Sequence, residues 1–192
     1  MEKDRLLAFS DGVVAIIITI MVLELKVPQS ASISALGGVI PVFLSYVFSF
    51  VYVAIYWNNH HHLFQLVGHV DGMMLWANMH LLFWLSLIPF ATGWMGENHF
   101  ASAPTAVYGV ALLMPALAWY GLQGAILHKE GRDSALARAI GRDLKGKVSP
   151  ALYLAGIFLA FVDPRIAGAI YVLVALLWFI PDRRIERVVR RS

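Results

Sequence analysis

The stretch Arg5-Leu-Leu-Ala-Phe9-Ser10-Asp11-Gly12-Val-Val-Ala-Ile16-Ile-Ile-Thr19-Ile20-Met-Val-Leu23-Glu24 decides the fold class. It holds twelve residues of almost pure hydrocarbon after a single acid, and a spanning helix needs about 20 mostly apolar residues. Asp11 sits inside the span. An intramembrane acid costs about 2.5–3.5 kcal/mol at mid-bilayer on insertion scales, and less near the edge. It must therefore face protein, water or a partner. Arg5 lies six residues before Asp11, a poor spacing for a shared helix face, so the partners of both are expected on other helices. Ser10 can bond back to the carbonyl of Leu6 or across to a neighbour. Gly12 lets another helix approach closely.

Outward from this helix the rest of the chain reads the same way. Of 192 residues, 59% are hydrophobic and only 14% charged, against roughly a quarter charged in a soluble domain. The mean hydropathy is +0.70. A surface this apolar points to lipid as solvent. Apolar runs at 6–25, 36–57, 73–95, 104–127, 148–162 and 166–180 predict six transmembrane helices, an all-α membrane bundle forming a single domain over residues 1–192. The last two runs are short, and Asp163-Pro164-Arg165 between them predicts a hairpin turn rather than the middle of one long span. The N-terminal Met1-Glu2-Lys3-Asp4-Arg5 runs into helix 1 without a small-residue cleavage site, which predicts a retained helix. With no cysteine, disulfides and thiolate metal sites are excluded.

Charge sets the orientation. Lys3 and Arg5 precede helix 1; Lys129, Arg132, Arg138, Arg142, Lys145 and Lys147 lie between helices 4 and 5; Arg183, Arg184, Arg187, Arg190 and Arg191 follow helix 6. Six spans place all thirteen on one side and leave only Lys26 and Arg165 on the other. By the positive-inside rule both termini are expected in the cytoplasm of a multi-pass plasma-membrane protein. The net charge of +3 follows this pattern, so nucleic acid is not an expected partner. The polar segment 130–146 reads as a short cytoplasmic amphipathic helix or as a solvated linker.

Ile16, Ile20 and Leu23 fall at i, i+4 and i+7, one stripe of helix 1 with Thr19 beside it. The stripe faces lipid or another helix, or, in a symmetric oligomer with helix 1 at its axis, forms rings. Isoleucine and leucine rings make a constriction that shuts by dewetting, and a threonine ring offers hydroxyls to a partly hydrated cation. Glu24 at the outer end is a solvated helix-end charge or a cation-concentrating mouth residue. Trp57, Trp94 and Trp178 lie near span ends, as interface anchors do.

The pattern Arg5-x-x-x-Phe9-Ser10-Asp11-Gly12-Val13, with Ala15-Ile16 and Thr19, resembles the opening helix of the endosomal/lysosomal potassium channel family in its prokaryotic single-repeat branch. Trp57-Asn58-Asn59-His60-His61-x-Leu63-Phe64 after helix 2 is similar to that family too, as are Asn78-x-x-Leu81-Leu82 and Ser86-Leu87-x-Pro89-Phe90 in helix 3. The resemblance implies a homotetramer around a central pore and a potassium-favouring cation channel. It implies a hydrophobic constriction at Ile16, with Ile20 and Leu23 continuing the lining and Thr19 at a polar position tied to selectivity. It also implies that Arg5, Phe9, Ser10 and Asp11 tie helices together rather than bind the ion. Candidate partners for Asp11 are Arg5, the histidines at 60–62, including His60 and His61, and Asn78 and His80. No Thr-Val-Gly-Tyr-Gly filter loop is present.

Two other functions compete with a channel. A secondary transporter would show internal repeats or paired helix breaks; no repeat is visible, and Pro89 and Pro115 are isolated. A histidine-liganded membrane oxidoreductase would use His60-His61-His62, His69 and His80 for iron or haem. There is no second histidine box, and adjacent histidines point in different directions on a helix, so structural or pH-sensing roles compete with a metal site. No enzyme activity, metal or cofactor is expected; the permeant potassium ion and the bilayer are the expected partners.

Overall fold

A computed structural model describes residues 2–131, 137 and 144–179. Among these residues the structure is helical and contains no strand. Helix α1 covers Lys3–Leu23, a 3-10 segment Ile33–Val39 leads into α2 (Ile40–Gln65), and α3 (Gly72–Ser86) and α4 (Ile88–Glu97) follow. Helix α5 is Ser102–Glu130, α6 Leu144–Leu159 and α7 Pro164–Phe179.

Among the described residues these seven helices make six spans, because α3 and α4 are halves of one apolar stretch, Gly72–Glu97. The run at 73–95, expected as one helix, is broken at Leu87. Pro89 has no N–H to give the carbonyl of Leu85, and its ring collides with that carbonyl in a continuous helix. The chain restarts with Pro89 in the first turn of α4, where an N–H is not needed. Pro115 stays inside α5 without ending it. Four stretches are long and apolar enough to cross a membrane: Lys3–Leu23, Ile33–Gln65, Gly72–Glu97 and Ser102–Lys129. Helices α6 and α7 have sixteen residues each, about 24 Å at 1.5 Å per residue, so they are as short as their sequence suggests.

Local chemistry sets the other boundaries. The Asp163 carboxylate accepts the backbone N–H of Arg165 at 2.8 Å, and Pro164 opens α7, so Asp163-Pro164-Arg165 is the expected hairpin turn. Asp71 caps α3 by accepting the N–H of Met74 at 2.9 Å. Helix α2 runs eight residues past its expected end at 57 and carries His60, His61 and His62 on its last turns. The expected amphipathic segment 130–146 and the C-terminal arginines lie outside the described residues, apart from the ends of the flanking helices.

The bundle holds two hydrophobic cores. One gathers Leu6, Val14, Ile17 and Met21 of α1 with Val53, Leu63 and Phe64 of α2, Leu81 and Leu85 of α3 and Leu122 of α5. The other joins Tyr52 of α2, Met95 of α4, Tyr108 and Leu112 of α5, Tyr153 of α6 and Tyr171 of α7. Helices α2 and α5 contribute to both. Lipid-embedded helices gain little from the hydrophobic effect and depend on close packing and shared hydrogen bonds. Gly96 fits against Ser45 and Val42 of α2, and Gly109 and Gly156 leave the space that the Tyr171 ring fills.

Candidate ion pathway and its helix ties

Helix α1 has two faces. Leu6, Ser10, Val14, Ile17 and Met21 are buried. Phe9, Ile16, Ile20 and Leu23 are exposed, Ile16 at 57% and Leu23 at 79%, while neighbouring Ile17 and Met21 are at 3% and 0%. Arg5 and Thr19 lie on the exposed side. All four residues of the predicted stripe therefore lie together on one face that none of the described helices covers. The Thr19 hydroxyl donates to the carbonyls of Ile16 and Ala15 at 2.9 and 3.1 Å. Its one proton is committed to the backbone, so its oxygen turns only lone pairs outward, the orientation a cation requires.

The buried face carries a directed polar chain. The Ser10 hydroxyl donates to the Leu6 carbonyl at 2.9 Å. Its oxygen accepts the Asn78 amide N–H at 2.9 Å. The Asn78 carbonyl oxygen lies 2.8 Å from Nε2 of His60. That oxygen can only accept, so His60 carries its proton on Nε2. The chain ties α1, α3 and α2 in one line, and Ser10, Asn78 and His60 are all buried. A polar group hidden in a membrane bundle must find such partners.

Asp11 is held differently from any expected pairing. Its carboxylate accepts the indole N–H of Trp57 at 2.9 Å. None of Arg5, His60, His61, Asn78 or His80 is its hydrogen-bond partner. His60 and Asn78 join the motif through Ser10 instead. His61 accepts from Gln65 at 2.9 Å and stacks on Trp57, and His80 accepts from Trp84 at 2.8 Å one turn along α3. The geometric reason is direction. Ser10 points into the bundle, whereas Asp11, about 100° further round the helix, is exposed at its rim, where the long Trp57 side chain meets it. Trp57 reads in sequence as an interface anchor; the available signal was its N–H, a donor one turn before the histidine run.

The two ends of α1 are also fastened. Lys3 donates to the Val67 carbonyl at 3.1 Å. Just past the other end Lys26 forms an exposed ion pair with Glu97, the last residue of α4. The hydrogen bond from Lys26 to the Glu97 carboxylate, then its charge, raises the lysine pKa above its ordinary 10.5. Glu24 packs against Gly93 of α4, and Glu24, Lys26, Glu97 and His99 border an open recess of about 410 Å³.

Comparison with known proteins agrees with this arrangement. The family model described as the endosomal/lysosomal potassium channel TMEM175 matches residues 5–89, which hold the stripe, the polar chain and the break at Leu87. A potassium channel of Chryseobacterium sp. (strain P1-3) is 55% identical over 192 residues, all of both chains. A potassium channel of Streptomyces collinus is 31% identical over 188 residues, covering 91% of this chain and 90% of the relative. The crystal structure of a lysosomal potassium-selective channel TMEM175 homolog from Chamaesiphon minutus superposes with a TM-score of 0.83 at 30% identity, over 94% of this chain and 98% of that one. With its first helix, its polar ties and its whole length accounted for, this chain belongs to the TMEM175 family of endosomal/lysosomal potassium channels.

Proposed function

We propose that the chain is a potassium-favouring cation channel in which four copies place α1 around a central axis. The observation that carries this reading is the uncovered stripe of α1. Ile16, Ile20 and Leu23 are exposed while the other side of the same helix is packed. Thr19 sets a hydroxyl oxygen on that stripe, its proton already given to the backbone. In a ring of α1 helices Ile16 forms the constriction, Thr19 offers oxygen to a partly dehydrated cation, and Ile20 and Leu23 extend an apolar lining that conducts only when wetted. One α1 cannot enclose a pore alone, and closed cyclic symmetry supplies the rest. The relatives' names as potassium channels support the ion, and their nature as channels speaks against an enzyme.

The thirteen-to-two distribution of Lys and Arg supports cytoplasmic termini, and the membrane of this reading is the plasma membrane. Arg5, Phe9, Ser10 and Asp11 serve as ties that hold α1 in register for assembly. The test is flux from liposomes loaded with potassium or sodium. Wild type is expected to favour potassium. Ile16→Asn should pass more current with less discrimination between the two ions, and unchanged rate and selectivity in that variant would remove α1 from the pathway.

A further inference from the structure

Between α2 and α7, on the side of the bundle away from α1, runs a groove of about 450 Å³ whose walls are almost wholly apolar. Val47 and Val51 of α2 face Gly168, Val172 and Ala175 of α7 across it. From Pro164 to Phe179 the groove follows α7 for about 22 Å at 1.5 Å per residue, within the roughly 30 Å hydrocarbon core.

Two polar features stand at the end where α7 begins. Thr105, in the first turns of α5, lines the groove. It is 1% exposed, and its hydroxyl has no hydrogen-bond partner, a cost that a buried donor ordinarily avoids. Arg165 follows the lining residue Pro164, is exposed, and its guanidinium is bonded to no described residue. The order along the groove is thus a free cation, then an unsatisfied hydroxyl, then hydrocarbon. A phospholipid has the same order: phosphate, ester carbonyl, acyl chain.

We propose that this groove is a binding site for one phospholipid of the leaflet opposite the termini. One acyl chain lies between α2 and α7, an ester carbonyl accepts from Thr105, and the phosphate pairs with Arg165. A second copy of the chain is the competing occupant, and position argues against it. Val51 and Val47 lie nine and thirteen residues before His60, about 180° and 140° around α2 from the side that meets α1. The groove therefore looks away from the face on which the proposed pore assembles.

The test is native mass spectrometry of the full chain released from vesicles of phosphatidylglycerol into mild detergent, reading phospholipid retained per chain. Wild type should keep a phospholipid through washing. Gly168→Leu adds a side chain into open space, since nothing lies within 4 Å of a Cβ there. It should reduce retention about tenfold. Val172→Trp fills the groove from its exposed rim and should do the same if Gly168→Leu folds poorly. Thr105→Val and Arg165→Gln should each weaken retention about threefold or more. Wild-type retention in either groove-filling variant overturns the proposal. So does a change of oligomeric mass on filling the groove, which would make a second copy its occupant. Potassium flux through the same variants reads the pore reading separately, because none of these residues lies on α1.

Discussion

At the residue scale the decisive contrast is between Ile16 and Ile17. They are chemically identical and adjacent, yet one is exposed at 57% and the other at 3%. If the exposed one lines a pore, Ile16→Asn raises flux and lowers discrimination in liposomes, while Ile17→Asn buries an amide in the core and lowers yield instead. Asn78 offers a second contrast. Asn78→Ala leaves His60 and the Ser10 oxygen without their partner in a dry bundle, an expected loss of about 1–3 kcal/mol. This is measurable as an earlier midpoint in denaturing-detergent titration. Asp11→Ala removes only the bond to exposed Trp57, so monomer stability should change little. Its expected effect is a lower yield of assembled tetramer on gel filtration with ion discrimination kept; a stable tetramer with altered selectivity would put Asp11 in the pathway.

At the scale of elements, packing in the second core turns on how α5, α6 and α7 close around Tyr171. A methyl at Gly109 would come within 2.0 Å of the Tyr171 hydroxyl oxygen and 2.7 Å of Ile157, while one at Gly156 would meet the ring carbon Cε1 at 2.4 Å. Both Gly→Ala changes should destabilise by about 1–3 kcal/mol through overpacking. Tyr171→Phe removes the oxygen but keeps the ring. In a double-mutant cycle it should therefore relieve part of the Gly109→Ala cost and leave the Gly156→Ala cost standing. Equal rescue of both, read from detergent melting curves, would mean that the helices shift rather than the ring. The broken α3–α4 span belongs to this scale as well. Thr92 donates to the Ile88 carbonyl at 2.7 Å and meets Ser49 at 2.6 Å, with Tyr108 2.8 Å from the same serine. Because the Thr92 proton is committed to Ile88, Ser49 donates to Thr92 and Tyr108 donates to Ser49. The restart after Pro89 is thereby held by α2 and α5.

At the scale of the whole molecule, α1 is packed on one side only among the described residues, and the proposed assembly would cover the other. Orientation can be tested without preparing a cysteine-free background, since the chain has no cysteine. Ser30→Cys, in the α1–α2 connection, should react with an impermeant maleimide added outside intact cells, and Ser192→Cys only after permeabilisation. The reverse pattern would invert the topology. The Lys26–Glu97 pair closes the outer ends of α1 and α4. The lysine pKa is raised in the folded protein, so its contribution is complete below about pH 10.5 and lost as pH rises through the higher folded value.

The sequence by itself determined the solvent, the number of spans and the hairpin at Asp163-Pro164-Arg165. Hydropathy, charge and proline act locally and are written along the chain. The motif from Arg5 to Val13 also made the family legible before any coordinate. Tertiary structure decided the rest. Helix α1 is apolar all round, so composition could not say which stripe is packed; only the positions of α2, α3 and α4 leave Ile16, Thr19, Ile20 and Leu23 uncovered. The partner of Asp11 and the ties of Ser10 cross between helices up to 68 residues apart, and a hydrogen bond depends on direction as well as residue type. Likewise Pro89 and Pro115 read alike in sequence, yet one breaks its span and the other rides within its helix. The ring and the missing N–H are the same at both prolines, so residue type alone could not tell them apart.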